Sequence, residues 1–500
     1  MKHTKKLASL LLALALAFAL AVPAFAAGGT YSITINNATE GHTYEAYQIF
    51  TGDLAEKDGK KVLSNIVWGS GISEAGNTAL DNAAAKAETL KTEADAKAFA
   101  KAVAPYLTTA AGSANTVTDG KYVISGLAAG YYLVKDQDGS LTGDADAYTE
   151  YIVKVVSNTT ATPKSSVPQV EKKVKDINDS TGETSGWQDS ADYDIGDSVP
   201  FQLKATLADN VSSYTTYKVV FHDTLSAGLT YKNDAKVYID GTETNGFTVT
   251  SNTDTAGITT LTISCDNVKA LDAGNSSVIT VEYTATLNDK AAVSSSDEVY
   301  LEYSNNPNKS EAGNTETGNT PKDTVIVFTY KVIINKVDGE NQALTGAEFT
   351  LEKKILGDNP TTTEVTETEY WKSIAVVKTN GDTTFTFAGL DDGDYRLTET
   401  KTPAGYNTIA PIAFTITATH DITSTNPVLT SLAGNATGGE ITFTSSMNDG
   451  SLSANVVNKS GATLPETGGM GTTLFYVLGG VLVVGAVVLL ITKKRMGAEQ

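Results

Sequence analysis

Two neighbouring stretches decide the fold: "SVITVEYTATL" at residues 277–287 and "EVYLEYSN" at residues 298–305. In both, apolar and polar side chains alternate, which is the period of a half-buried β-strand. Between residues 169 and 330, further stretches of this kind are separated by Asp, Asn and Gly turns: "QVEKKVKD", "SVPFQLKATL", "YKVVFHDTL", "LTYKNDAKVYI", "GITTLTISC" and "TVIVFTY". Strands at this spacing predict a β-sandwich.

Similar strands lie on both sides of this segment, in residues 27–160 and 331–460. The first of these segments also contains "EADAKAFAKAVAPYL" at residues 93–107, whose apolar residues recur at helical spacing. "GLAAGYYLVKDQ" (residues 126–137) and "GLDDGDYRLTET" (residues 389–400) share Gly-Leu-x-x-Gly-x-Tyr, which indicates related folds used in series. The sequence therefore predicts a mainly β chain of three tandem Ig-like β-sandwich modules in an elongated rod, with a helical insertion in the first module.

The two ends of the chain predict export. Residues 1–26 combine a basic start, an apolar stretch and a small-residue cleavage site, as secretory signal peptides do. Within residues 461–500, the apolar run 474–491 is long enough to cross a bilayer as a helix, and the basic residues behind it would stay in the cytoplasm. The single cysteine, Cys265, excludes an intramolecular disulfide, and we interpret it as a buried strand residue.

Charge and composition exclude several classes of function. The chain has 37 basic and 58 acidic residues and a net charge of −21, so we expect no nucleic-acid partner. Its four histidines lack the spacing of metal ligands and no Gly-rich phosphate loop is present, so we expect neither an enzyme nor a cofactor. The acidic loop "DDGD" at residues 391–394 does not fit an EF-hand, and a solvated turn is the favoured interpretation over a Ca²⁺ site.

One strand of the middle segment carries a lysine that its pattern places inside. In "QVEKKVKD", Val170, Lys172 and Val174 alternate onto one face, and Lys173 lies on the other. A buried ammonium group is costly, so Lys172 should lose its proton or find a partner. Lys173 stays an alternative, and the alternation favours Lys172.

The same segment offers partners for this lysine. Asp223 lies at the end of an apolar strand, and Asn305 alternates onto one face with Leu301 and Tyr303. Lysine, asparagine and an acid are the ingredients of an intramolecular isopeptide bond. A neutral Lys172 amine would attack the Asn305 carboxamide, and a protonated Asp223 would relay protons as ammonia leaves.

A short motif stands just before the apolar run near the end of the chain: Leu464, Pro465, Glu466, Thr467 and Gly468. LPxTG followed by an apolar helix and a basic tail resembles the cell-wall sorting signal of Gram-positive surface proteins. The resemblance implies that a sortase cleaves after Thr467 and passes its acyl group to an amine. The implied partners are a pilus-specific class C sortase, a housekeeping sortase and peptidoglycan.

The linker at residues 161–168 contains "TPKSS", in which Lys164 follows Pro163. Position and the Pro-Lys pair resemble the pilin motif of sortase-assembled shaft subunits, although Thr162 and Ser165 replace the usual tyrosine and asparagine. The resemblance implies that Lys164 receives Thr467 of the next subunit.

The last segment resembles a collagen-adhesin B-type (CNA-B) repeat domain. The resemblance rests on "INKVDGENQALTGAEFTL" (residues 334–351) and "YRLTETKTPAGY" (residues 395–406). It implies an isopeptide bond from Lys336 to Asn458, with Glu399 as the acid.

The first segment departs from that pattern. Its opening strand has Asn36 or Asn37 where Lys336 would be, although Asp136 lies opposite Glu399 in the repeat and Asn158 ends its last strand. Because the amine is missing, we predict that the first module is not cross-linked.

Taken together, these features resemble the major shaft subunits of sortase-assembled Gram-positive pili of the actinobacterial fimbrial type, built from Ig-like and CNA-type modules. The resemblance implies a covalent homopolymer of identical subunits in a wall-anchored surface pilus that supports adhesion. An ancillary tip pilin and a host-surface receptor would be further partners. The alternatives are a monomeric wall-anchored adhesin and an ancillary tip pilin.

Overall fold

The structure is a computed structural model. It describes residues 30–461, except 142, 144, 164, 314–315, 358–368, 379–380 and 440, together with residues 470–496. The signal peptide and the sorting pentapeptide lie outside the described residues. Six β-sheets fall in pairs into three consecutive segments, called modules 1, 2 and 3 below. The predicted fold class, mainly β with a helical insertion in the first module, is confirmed.

Module 1 is built from a small and a larger sheet. The small sheet has the order β5-β1-β8, and the larger one has the order β3-β2-β6-β7 with β4 paired to β2. The strands are β1 (Tyr31–Asn36), β2 (Tyr44–Lys57), β3 (Lys60–Trp68), β4 (Gly112–Ala114), β5 (Lys121–Leu127), β6 (Gly130–Asp136), β7 (Glu150–Val155) and β8 (Thr159–Ala161).

The helical insertion follows β3. It comprises α1 (Glu74–Ala79), α2 (Ala83–Thr89) and α3 (Glu93–Val103). Helix α3 begins with a reciprocal capping box between Thr92 and Asp95, which satisfies two backbone donors. Phe99 and Val103 are buried, and Phe99 stacks on Phe50 of the sheet. The insertion is therefore anchored by an apolar helix face, as its spacing predicts.

Module 2 is a sandwich of two larger sheets. One has the order β10-β21-β19-β12-β17-β16 with β20 on β19, and the other has the order β15-β14-β18-β11-β9 with β13 on β18. The strands are β9 (Gln169–Val174), β10 (Ser190–Asp192), β11 (Ser198–Thr206), β12 (Val219–Leu225), β13 (Leu229–Tyr231), β14 (Lys236–Ile239), β15 (Thr242–Thr244), β16 (Thr248–Thr253), β17 (Thr259–Cys265), β18 (Val278–Leu287), β19 (Ser294–Ser304), β20 (Thr317–Asn319) and β21 (Asp323–Phe328). Burial alternates residue by residue along β18, and Cys265 is a buried strand residue as predicted.

Module 3 pairs a four-stranded sheet, β25-β22-β30-β29, with a five-stranded sheet, β24-β23-β26-β27-β28. The strands are β22 (Tyr330–Val337), β23 (Glu348–Leu356), β24 (Glu369–Lys378), β25 (Thr384–Leu390), β26 (Gly393–Lys401), β27 (Ile412–His420), β28 (Leu429–Ala436), β29 (Thr444–Ser446) and β30 (Ser451–Val457). Its first strand, β22, runs parallel to its last, β30.

Modules 1 and 3 share a core topology, which accounts for the repeated motif. In each, the first strand pairs in parallel with the last and antiparallel with the strand that begins the repeated motif, β5 or β25. Gly126 and Gly389 occupy the same place before the turn that leads from one sheet to the other, at φ 79° and 77°. That left-handed conformation favours glycine, so the motif repeats because the turn repeats.

After module 3, helix α4 (Met470–Met496) contains the apolar segment Leu474–Lys494, with a mean hydropathy of 2.8 and no residue buried against the rest of the chain. Its length and composition fit the predicted membrane-spanning segment.

Candidate cross-linking sites

Module 3 brings together the three residues that its motifs indicate. The parallel register sets Lys336 of β22 beside Val456 of β30, two residues before Asn458. The Asn458 amide donates to both oxygens of Glu399 at 3.0 Å, and its backbone N–H donates to the carbonyl of Val337. Lys336 and Asn458 are fully buried and Glu399 is 5% exposed. The strands thus place amine, amide and acid in one dry site.

The environment of Lys336 favours its neutral form. Burial lowers the pKa of its amine to about 8, and the charge of Glu399 opposes this only in part. The Lys336 amine donates to the carbonyl of Val456 at 2.9 Å, and the Asn458 Oδ1 has no hydrogen-bond partner. A neutral amine beside an amide whose nitrogen is held by an acid is the arrangement that aminolysis needs.

Module 2 buries its lysine as the strand pattern predicts. Lys172 is fully buried, and its amine lies 2.5 Å from Asp223 Oδ1. The hydroxyl of Tyr283 donates to Asp223 Oδ2 at 2.5 Å. Lys173 points to the other face, is partly exposed and pairs with Asp189. Of the two candidate lysines, Lys172 is the one that faces the core.

The structure does not bring Asn305 to this site. Asp223 pairs with Val299 on β19, whereas Asn305 follows the end of that strand, six residues further on. At about 3.3 Å per residue the two positions are roughly 20 Å apart, beyond the reach of Lys172. Asn305 is buried at the boundary with module 1, where its carbonyl accepts from the N–H of Tyr148. The sequence placed Asn305 on the correct face but at the wrong end of the strand.

A different residue of β19, Asp297, lies beside the lysine. Asp297 is fully buried and interacts electrostatically with Lys172 and Asp223. Its Oδ1 accepts the backbone N–H of Ser226 at 2.6 Å, and its Oδ2 has no hydrogen-bond partner. Burial raises its pKa to about 7, against the opposing charge of Lys172. Asp297 alternates with Leu301 and Tyr303, which puts it on the inner face. An acid on that face is the sequence feature that could have identified Asp297 as a partner of Lys172.

In module 1 an asparagine occupies the position that corresponds to Lys336. Ile33 pairs with Ile124 as Val332 pairs with Phe387 in the repeat, so Asn37 occupies the position of Lys336. The Asn37 amide donates to the hydroxyl of Tyr44 at 2.8 Å. Asp136 is buried and is held by His42 at 2.7 Å and by the N–H of Thr149 at 2.8 Å. Asn158 Oδ1 accepts the backbone N–H of Ser32. That module 1 is not cross-linked stays a prediction.

The inter-subunit residues Lys164 and Leu464–Gly468 lie outside the described residues. The described residues on either side of Lys164 connect β8 of module 1 to β9 of module 2.

The "DDGD" loop is not a solvated turn, because Asp391 is 1% exposed and contacts the buried amine of Lys353. It lies at the junction of modules 2 and 3, which also buries Asp192 and most of His420. Nε2 of His420 lies 3.5 Å from Asp192 and 3.7 Å from Asp176. Sequence reasoning missed this junction, since its residues come from distant segments.

His420 should make the junction sensitive to pH. Burial alone would lower the pKa of His420, and Asp176 and Asp192 outweigh it and raise the pKa to about 9. The ion pairs of protonated His420 therefore stabilise the folded state fully below the ordinary histidine pKa of about 6.5, and this stabilisation is lost as the pH rises through 9. His420→Gln should therefore lower the free energy of unfolding by roughly 2–3 kcal/mol more at pH 6 than at pH 10. Denaturant titrations at both pH values check this, and an equal loss at both would contradict it.

Two family models match parts of the chain. Residues 330–427 match the family model of the SpaA prealbumin-like fold domain, and residues 456–496 match the LPXTG cell wall anchor motif. The trypsin-resistant surface T6 protein of Streptococcus pyogenes serotype M6 is 26% identical over 427 residues, which cover 72% of this chain and 74% of that protein.

Two solved structures each match 87% of the chain. The T6 backbone pilin of serotype M6 Streptococcus pyogenes, which has a modular three-domain structure, matches with a TM-score of 0.57 at 18% identity, covering 87% of this chain and 99% of that one. The full-length major pilin SpaD of Corynebacterium diphtheriae matches with a TM-score of 0.49 at 18% identity, covering 87% and 98%. The chain is therefore a cell-wall-anchored Gram-positive surface protein that contains a SpaA prealbumin-like domain and shares the modular fold of a backbone pilin.

Proposed function

We propose that this chain is the structural shaft subunit of a covalently polymerised cell-surface pilus. A pilus-specific class C sortase joins Thr467 of one subunit to Lys164 of the next, and a housekeeping sortase attaches the finished fibre to peptidoglycan. An ancillary tip pilin and a host-surface receptor are further partners, and the chain is a substrate of these enzymes rather than an enzyme. The observation that carries the proposal is the pairing of an LPXTG anchor with two modules that each bury a lysine beside acids.

In module 3 the proposed internal reaction joins Lys336 to Asn458. The neutral Lys336 amine attacks the Asn458 side-chain carbon, forming a C–N bond as the C–N bond to the amide nitrogen breaks. Both oxygens of Glu399 lie 3.0 Å from the nitrogen of that amide, which also donates to the carbonyl of Asn407, so Glu399 is placed to carry a proton from the amine to the departing nitrogen. Ammonia leaves, and an amide then links neighbouring parallel strands.

In module 2 we propose Asp297, in place of Asn305, as the acceptor for Lys172. Asp223 contacts the lysine amine at 2.5 Å and is placed to take its proton. The N–H of Ser226 holds one oxygen of Asp297 at 2.6 Å and would stabilise the developing negative charge there. The other oxygen leaves as water, so a lysine–aspartate bond forms without release of ammonia.

Polymerisation tests the proposed function. Lys164→Ala should abolish the ladder of high-mass species that detergent-resistant wall extracts show with an antibody to this chain, because each step consumes that amine. Lys91→Ala, which removes an exposed lysine of module 1, is the matched control and should leave the ladder intact. A full ladder from Lys164→Ala would contradict the assignment. Mass spectrometry that finds Thr467 joined only to wall peptide would instead indicate a monomeric wall-anchored adhesin.

A further inference from the structure

The junction between modules 2 and 3 contains a buried lysine that neither internal reaction above uses. Lys353 lies on β23 of module 3 and has no exposed surface. Its amine is 2.7 Å from Oδ2 of Asp194, which belongs to module 2, and it also contacts Oδ1 of Asp391 in module 3. A third carboxyl oxygen, Oδ2 of Asp179 in module 2, lies 3.6 Å from the amine, so one lysine bridges carboxyl groups of both modules across the boundary.

The surroundings of Asp194 are those of an acyl acceptor. Its Oδ1 accepts the backbone N–H of Asp391 at 3.0 Å and faces the hydroxyl of Tyr395 at 3.3 Å. The backbone N–H donor on this oxygen stabilises the negative charge that develops there when a nucleophile adds to the carboxyl carbon. The other oxygen, Oδ2, is the one beside the amine of Lys353.

This arrangement repeats that of module 2. In both places a fully buried lysine contacts one acid that a tyrosine hydroxyl also binds, and a second acid has one oxygen held by a backbone N–H. The matching groups are Lys172, Asp223, Tyr283 and Asp297 in module 2 and Lys353, Asp391, Tyr395 and Asp194 at the junction.

We propose that Lys353 and Asp194 form an amide bond that joins module 2 covalently to module 3, with Asp391 as the proton-relaying acid. Asp391 takes a proton from the Lys353 ammonium, and the neutral amine attacks Cγ of Asp194. A C–N bond forms, the bond from Cγ to Oδ2 breaks, and Oδ2 leaves as water with protons returned through Asp391. The balance is one ammonium and one carboxylate giving one amide and one water, with no other reactant.

The charge state of the junction requires a proton transfer from Lys353 to Asp391 before the attack. Burial raises the pKa of Asp391 well above its ordinary value, so a proton can reside on this acid beside the amine. Burial would lower the pKa of Lys353, but the charges of Asp391 and Asp194 outweigh it, so the ion pair is the state from which the reaction starts. Burial of the lysine also keeps bulk water from the acyl carbon, which favours condensation.

Intact and tandem mass spectrometry of the mature full-length chain test the proposal. We expect a loss of about 18 Da from this bond, the mass of one water, beyond the losses from modules 2 and 3. A tryptic digest should contain a branched peptide that joins Lys353 to Asp194. Because this readout needs no sortase, it does not depend on pilus assembly.

Variants identify the reacting groups. Lys353→Arg should abolish this loss, whereas the control Lys354→Arg, at the next and partly exposed lysine, should keep it. Asp194→Asn should change the loss from about 18 to about 17 Da, because ammonia then leaves in place of water. Tryptic cleavage after an unmodified Lys353 in the unsubstituted protein would overturn the proposal, as would a loss that Asp194→Asn leaves at about 18 Da.

Discussion

Replacing Asn458 by alanine should lower the unfolding midpoint of module 3 by about 20 °C. The proposed bond from Lys336 closes a loop of about 120 residues, which by the chain-entropy arithmetic for cross-links is worth roughly 5 kcal/mol. A module of this size gains roughly 0.25 kcal/mol per kelvin in unfolding entropy, which gives the expected shift. The intact mass of the variant should also show no loss of ammonia from module 3.

Asn455→Ala is the control for this experiment. Asn455 lies on β30, three residues before Asn458, but its side chain is exposed. The control should keep the loss of about 17 Da and change the midpoint little. Calorimetry and intact mass should be measured on the same samples. A protein in which Asn458→Ala and Asn455→Ala behave alike would show that no bond from Lys336 to Asn458 exists.

The sequence located the module 3 residues because each one belongs to a local motif. Lys336 and Glu399 sit in strand patterns that also fix their turns, and Asn458 follows the final strand directly. The parallel pairing of first and last strands then brings them together. Where a motif carries both the residue and its strand, the position of the site follows from the sequence.

Module 2 shows what a strand pattern leaves undetermined. A period of two tells which face a residue occupies, and it placed Lys172, Asp223 and Asn305 inside correctly. It does not tell how far along a partner strand the residue lies. That register is set by the pairing of β12 with β19, a contact between segments about 75 residues apart in sequence. Asp297 and Asn305 share a face and differ only in register.

The junction of modules 2 and 3 is harder to predict from the sequence than either internal site. Asp194 follows a short strand of module 2, Asp391 lies in the turn between β25 and β26 of module 3, and Lys353 is on β23. Each of these residues is ordinary for an exposed loop or strand when read alone. Docking of module 2 on module 3 brings Asp194 beside Lys353 and Asp391, so their chemistry is a property of the assembled pair.

Asp297→Ala should remove the cross-link of module 2, while Asn305→Ala should leave it in place. The bond from Lys172 closes a loop of about 125 residues, so its loss should cost roughly 5 kcal/mol in the free energy of unfolding. It should also abolish a loss of about 18 Da, the mass of water, because the acceptor is a carboxyl group. Asp297→Asn sharpens the test, since an amide acceptor releases ammonia and the loss should fall to about 17 Da. If Asn305→Ala abolishes the loss and Asp297→Ala retains it, the acceptor is Asn305 and the strand register described above is wrong.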